Sequence, residues 1–252
     1  MANQFDERTT TQGFDPATSA SVPRAKRDEG LRKYMLGVYN YMASGILLTG
    51  IVSLLAAQAG FVGLLYDPAT GAPTMLAWAM MFGPFALVMW LQFRIFKMSV
   101  QTARATYWIY AALVGASIST IFMTFTPVSI AQTFFTTAIA FGGLSFWGYT
   151  TKKDLSGWGT FLIMGIWGLF AAMLLNVLVF KSATADLAMS AIGLLIFAAF
   201  TAYKTQEVKS IYFQVRGNAE MMAKTTIYGA LHLYMAFINM FLFLLRFMGS
   251  RE

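Results

Sequence analysis

One stretch near the C-terminal end gathers polar and aromatic side chains at a helical spacing. Tyr228, His232, Ala236 and Asn239 recur at intervals of four, four and three residues, the period that stacks side chains on one face of an α-helix. His232 is the single histidine of the chain, and imidazole is the side chain whose charge changes near neutral pH. It can act as a proton switch, or stand neutral and hydrogen-bonded to another helix or to headgroups. Asn239 can bond across helices or meet a solute, and Asn176 carries the same two readings. Lys204 either snorkels its ammonium to an interface or sends it into a cavity at the base of a bundle. Glu207, three residues on, is spaced to pair with it along a helix. Asp154 follows Lys152 and Lys153 and is expected to cap the next helix, whose N-terminus favours negative charge.

What the chain lacks narrows the chemistry further. None of its eleven acids lies well inside an apolar run, where a proton relay or a dehydrated divalent-cation site normally has at least one. It has no cysteine, which removes disulfides, thiol catalysis and thiolate metal sites. Its 17 methionines read as adaptable apolar filler rather than copper ligands. No phosphate-binding loop, zinc-protease motif or catalytic triad is present. The expectation is a protein that is not an enzyme and carries no cofactor or metal.

The elements that hold these residues are long and apolar. Of 252 residues, 58% are hydrophobic and 12% charged, with mean hydropathy +0.60. A soluble domain needs roughly a quarter of its residues charged, so much of this surface faces a bilayer rather than water. Apolar runs at 34–57, 75–97, 105–125, 128–149, 158–180, 186–204 and 226–247 each have about the length that spans hydrocarbon. Helices are the open-chain way to satisfy a backbone in lipid, and the alternating segments of a β-barrel are absent. The fold class is therefore an all-α integral membrane protein with seven transmembrane helices. Residues 1–29 read as a disordered polar tail and 30–252 as the membrane domain. No cleavable signal is apparent, so the first run is expected to insert and remain. Thr126-Pro127 predicts a tight hairpin with Pro127 in the first turn of the fourth helix. Tyr66-Asp67-Pro68-Ala69-Thr70-Gly71 predicts a turn. Small-residue pairs Gly115/Ser119 and Gly168/Ala172 suit close helix contacts.

Charge placement sets an expected orientation. Fifteen of the 18 Lys and Arg residues fall in the N-terminal tail and the second, fourth and sixth connections, and three elsewhere. The positive-inside rule then predicts a cytoplasmic N-terminus and a C-terminus outside. Because the basic residues sit between apolar runs, the net charge of +7 serves topology rather than nucleic-acid binding.

Three segments carry a family resemblance. Gly229-Ala-Leu-His-Leu-Tyr-Met-Ala-Phe-Ile-Asn239-Met-Phe-Leu-Phe-Leu-Leu-Arg246 resembles the last helix of the Bax inhibitor-1 family. Ala202-Tyr203-Lys204-Thr205-Gln206 resembles that family's Tyr-Asp-Thr-Gln motif, and Tyr149-Thr-Thr-Lys-Lys-Asp154-Leu-Ser-Gly157 its fourth connection. The resemblance runs from about residue 30 to 250. It implies six helices around a central C-terminal seventh, a bacterial inner membrane, and functions in calcium leak, pH-sensitive gating and stress protection. Beyond the lipid bilayer, the implied partners are Ca²⁺ or H⁺. In the family an acid in the Tyr-Asp-Thr-Gln motif meets an acid in the last helix, and such a pair can share a proton or hold a cation. Here Lys204 and Ala236 stand at those positions, so neither carboxylate is present. Three readings follow: a cation leak channel with altered gating, a non-conducting protein that modulates a membrane-protein partner such as a quality-control protease, or a transporter of a small anionic or neutral solute.

Overall fold

The structure, a computed structural model, describes residues 24–250. Its long helices are α1 (Arg24–Gln58), α2 (Met75–Arg94), α3 (Val100–Ile118), α4 (Pro127–Thr150), α5 (Trp158–Leu175), α6 (Ala183–Val215) and α7 (Ala219–Met248). All seven are long and apolar enough to cross a membrane, and no strand occurs among the described residues. A single bridge between Tyr66 and Pro73 closes the turn predicted after the first span. Gly71 supplies the left-handed φ of 65° that this turn needs.

The helices form a ring of six around α7. Neighbouring pairs run α1–α3, α3–α2, α5–α6 and α6–α4. Phe85 of α2 joins α5 by stacking on Phe170 at 5.8 Å and meeting Trp167 edge-on at 6.2 Å. A hydrogen bond of 2.6 Å between the hydroxyls of Tyr39 and Ser145 links α1 to α4. The ring order is thus α1–α3–α2–α5–α6–α4. Of the most apolar part of α7, 78% is buried, against 11% to 39% for the other six. That difference identifies α7 as the core element, largely enclosed by protein. It packs mainly on α1, α3, α4 and α6, leaving more room on the side of α2 and α5.

Packing and polar satisfaction explain several local choices. A Cβ at Gly148 would lie 2.9 Å from Ala202 Cα, and one at Gly115 would lie 3.0 Å from Val52 Cβ; these glycines let α4 approach α6 and α3 approach α1. Gly168, expected to act similarly, has open space beside it. Pro84 lies inside α2 and cannot donate to the carbonyl four residues back. That carbonyl, on Met80, instead accepts a 2.6 Å hydrogen bond from the Ser117 hydroxyl of α3. The proline thereby becomes a tie between helices. The hairpin at Pro127 forms as predicted, with Pro127 opening α4 and Thr126 as its N-cap.

Helix ends depart from the apolar runs where water or protein takes over from lipid. α6 continues past the predicted end at 204 to Val215, and α1 begins at Arg24 rather than 34. Apolar content marks only the lipid-crossing part of a helix, and these polar turns extend beyond it. After Ile118 the chain tightens into a 3-10 turn over Ser119–Met123, and α5 loosens into a π turn over Asn176–Phe180. Of the expected tail, residues 1–23 lie outside the described residues.

Candidate functional site

Of the residues singled out from sequence, Lys204, Glu207, His232 and Ala236 converge where α6 meets α7, at the end of the bundle that carries most of the Lys and Arg. Helices of this antiparallel pair are registered by Gly193 against Phe243 and Val208 against Gly229, each 2.8 to 3.0 Å from the position of an added Cβ. That register brings Lys204 level with His232. Ala236, fully buried, sits one helical turn deeper, about 6 Å along the axis.

Lys204 points into protein. Only 6% of the residue is exposed, and its ammonium pairs with Glu207 at 2.5 Å. It also lies over the rings of Phe200 and Tyr203, at 5.5 and 5.3 Å from their centroids, a favourable seat for a cation. The ammonium thus lies inside the bundle rather than at an interface, seated on side chains. Glu207 pairs with it as the three-residue spacing predicted, while keeping 29% of its own side chain exposed. His232, 4% exposed, has Nδ1 2.9 Å from the Tyr228 carbonyl and its ring 4.2 Å from that of Tyr228. A carbonyl only accepts, so Nδ1 carries the proton. Lys204 lies within electrostatic reach of the ring.

The two other polar side chains behave differently from their sequence readings. Asn239 donates to Met235 O of its own helix at 2.8 Å, not across to a neighbour. Asn176 brackets the α5–α6 turn, donating to Ser182 O and accepting from Ser182 N, both at 3.1 Å. Asp154 does not cap α5, whose N-cap is Gly157 with no side-chain bond. Its Oδ1 accepts from Ser156 N at 2.9 Å, because the amide two residues on is nearer than the helix end. Hydrogen bonds from the backbone and hydroxyl of Ser156 hold the Asp154 carboxyl below its ordinary 3.8.

Around this centre the motif segments are tied together. Gln206 clamps the α4–α5 connection, accepting from Leu155 N and donating to Lys153 O at 2.8 Å each. Thr205 meets Ser145 at 2.9 Å, which in turn meets Tyr39, so α1, α4 and α6 share one buried hydroxyl network. Lys209 donates to Tyr149 O at the end of α4, and Lys224 to Phe96 O just past α2, at 2.7 and 3.2 Å. Cations suit these helix ends, whose last carbonyls lack helical partners. The hydroxyl network was missed in sequence, since Ser and Thr in apolar runs bond their own helices as readily as a neighbour.

At the opposite end, sequence reading also passed over Asp186 and Arg246. They approach to 3.8 Å across sixty residues of chain, and only opposite charges at the facing ends of two spans hinted at it. Among the described residues, no group of three His, Asp or Glu side chains is arranged to hold a metal ion.

Fold and site together define a multi-pass helical membrane protein with a central C-terminal helix and a half-buried lysine–glutamate pair at its basic end. The sequence model of the family described as inhibitor of apoptosis-promoting Bax1 matches residues 31–252, and the chain belongs to this Bax inhibitor-1 family. It is 40% identical over 247 residues to an uncharacterized protein of Caulobacter vibrioides, covering 95% of this chain and 98% of that one. Uncharacterized protein RP147 of Rickettsia prowazekii is 41% identical over 226 residues, covering 89% and 92%. Inner membrane protein YbhL of Escherichia coli K12 is 39% identical over 241 residues, covering 95% and 99%. The chain is a multi-pass inner-membrane protein of this family.

Proposed function

We propose that this protein is a low-leak member of its family, a membrane conduit whose basic end is sealed by the Lys204–Glu207 pair instead of gated by a pair of carboxylates. The N-terminus and this sealed end face the cytoplasm, a reading supported by the distribution of Lys and Arg. The observation that carries the proposal is the burial of the Lys204 ammonium against α7 at the level of His232. Two facing carboxylates must share a proton or take up a cation to coexist. An ammonium–carboxylate pair is neutral as it stands and needs neither. With its carboxylate already taken by the Lys204 ammonium, the pair also offers Ca²⁺ no unpaired acid to replace its hydration shell. The role proposed is accordingly in membrane permeability rather than catalysis.

The test is Ca²⁺ uptake by proteoliposomes containing the native protein or a Lys204→Asp/Ala236→Asp variant. The proposal expects low native uptake and a clear rise in the variant. Equal uptake in both would remove Lys204 from the explanation. Uptake in neither, with a membrane protein co-purifying, would move the function to partner binding.

A further inference from the structure

Two cavities open beside α7 at the end away from Lys204, and they share Leu242 and Arg246. One, of about 320 Å³, lies between the end of α3, its 3-10 turn and α7, with Thr120, Thr124 and Asp186 in its wall. The other, of about 200 Å³, is apolar and runs along α5 and α7 from Arg246 to Asn239, past Leu169, Met173 and Phe243. Asp186 and Arg246 are the charged side chains lining either space.

They form a loose, half-exposed ion pair. The closest approach is 3.8 Å, with 42% of the Arg246 side chain and 37% of that of Asp186 exposed. That separation exceeds hydrogen-bond distance, and neither side chain makes a hydrogen bond elsewhere among those observed. A guanidinium offers five N–H donors and a carboxylate about four lone-pair sites, so both groups keep capacity that protein does not take and that water or a ligand can fill at the mouth of a cavity. A bare anion entering here meets Asp186, and a bare cation meets Arg246. The ligand that satisfies both carries an acid and an ammonium close together.

We propose that this is a binding site for an amphiphilic zwitterion. Its acid group takes the guanidinium of Arg246 in charge-assisted hydrogen bonds, its ammonium takes the carboxylate of Asp186, and its apolar part enters the cavity toward Asn239. Two sources share this chemistry: a free amino acid with an aliphatic side chain, and the headgroup of an ethanolamine phospholipid with an acyl chain in the apolar cavity. The site is remote from Lys204 and does not depend on how that end is sealed.

The full-length protein, purified in a non-ionic maltoside detergent, is titrated calorimetrically with leucine, with isocaproate and isoamylamine as its single-charge counterparts, and with short-chain phosphatidylethanolamine against phosphatidylglycerol. The expected result is binding of leucine or of the ethanolamine lipid, with its single-charge or anionic counterpart at least about tenfold weaker. Which of the two binds identifies the source. Arg246→Gln and Asp186→Asn are each expected to weaken binding by at least about tenfold. Should either variant fail to fold, hydrogen exchange on the unaltered protein serves instead. The ligand must then protect the start of α6 and the end of α7, and leave the surroundings of Lys204 unchanged. Equal binding of single-charge ligands, binding that survives both substitutions, protection elsewhere, or no binding of either zwitterion would overturn the proposal.

Discussion

Replacing Glu207 with Gln should destabilise the bundle more than replacing Lys204 with Met, although Lys204 is the more deeply buried partner. The structure gives the reason. With Glu207 altered, an ammonium whose side chain is 8% exposed is left among Phe200, Tyr203 and His232 with no carboxylate. Losing one partner of a fully buried pair costs about 3–5 kcal/mol, while exposed pairs are worth about 0.2–1 kcal/mol. Glu207 keeps 29% of its side chain exposed, and Lys204 retains two aromatic rings, so an intermediate cost of about 2 kcal/mol is expected. With Lys204 changed to Met, Glu207 can turn toward water, and the loss should be about 1 kcal/mol. The double variant removes both charges and should lie within about 1 kcal/mol of the native protein. The coupling between the sites is then about 3 kcal/mol in magnitude. Reversible unfolding in mixed micelles, followed by tryptophan fluorescence, measures all four corners of the cycle. Strict additivity of the two single changes would refute the view that this pair organises the basic end.

Other consequences test the scaffold. Ser117→Ala should cost about 1 kcal/mol in the same unfolding assay, since the Met80 carbonyl freed by Pro84 would lose its donor in lipid. Gly148→Ala should destabilise by about 1–3 kcal/mol, because the methyl would press on the backbone at Ala202. Gly142→Ala, with open space beside it, should instead be neutral or gain up to about 1 kcal/mol. Ser156→Ala removes one of two hydrogen bonds to Asp154, so its titration, followed by carboxyl NMR, should move up toward 3.8 without reaching it. The sign follows from linkage: a depressed carboxyl contributes stability above its unfolded pKa and loses it as pH falls through the folded value.

The seven spans were legible because lipid imposes a length on each, and the Lys204–Glu207 pair because three residues on a helix are neighbours. The order of the ring was not legible. It rests on contacts such as Phe85 with Phe170 and Tyr39 with Ser145, which no spacing encodes. Local competition defeated two expectations. Asp154 found the amide of Ser156 before the end of α5, and Asn239 found the carbonyl of Met235 before a neighbouring helix. Pro84 frees a carbonyl of α2, and no spacing in the sequence points to Ser117 as its donor. Asp186 and Arg246 escaped notice because each looks ordinary at a span end until the fold sets them side by side.

The proposed sealing of the basic end is tested most directly by Ca²⁺ flux through the native protein in proteoliposomes, measured between about pH 6 and about pH 8, where a shared-proton gate or an imidazole switch would respond. A sealed Lys204–Glu207 end predicts flux that is low and flat across this range. Flux that changes about tenfold or more over it would contradict the account.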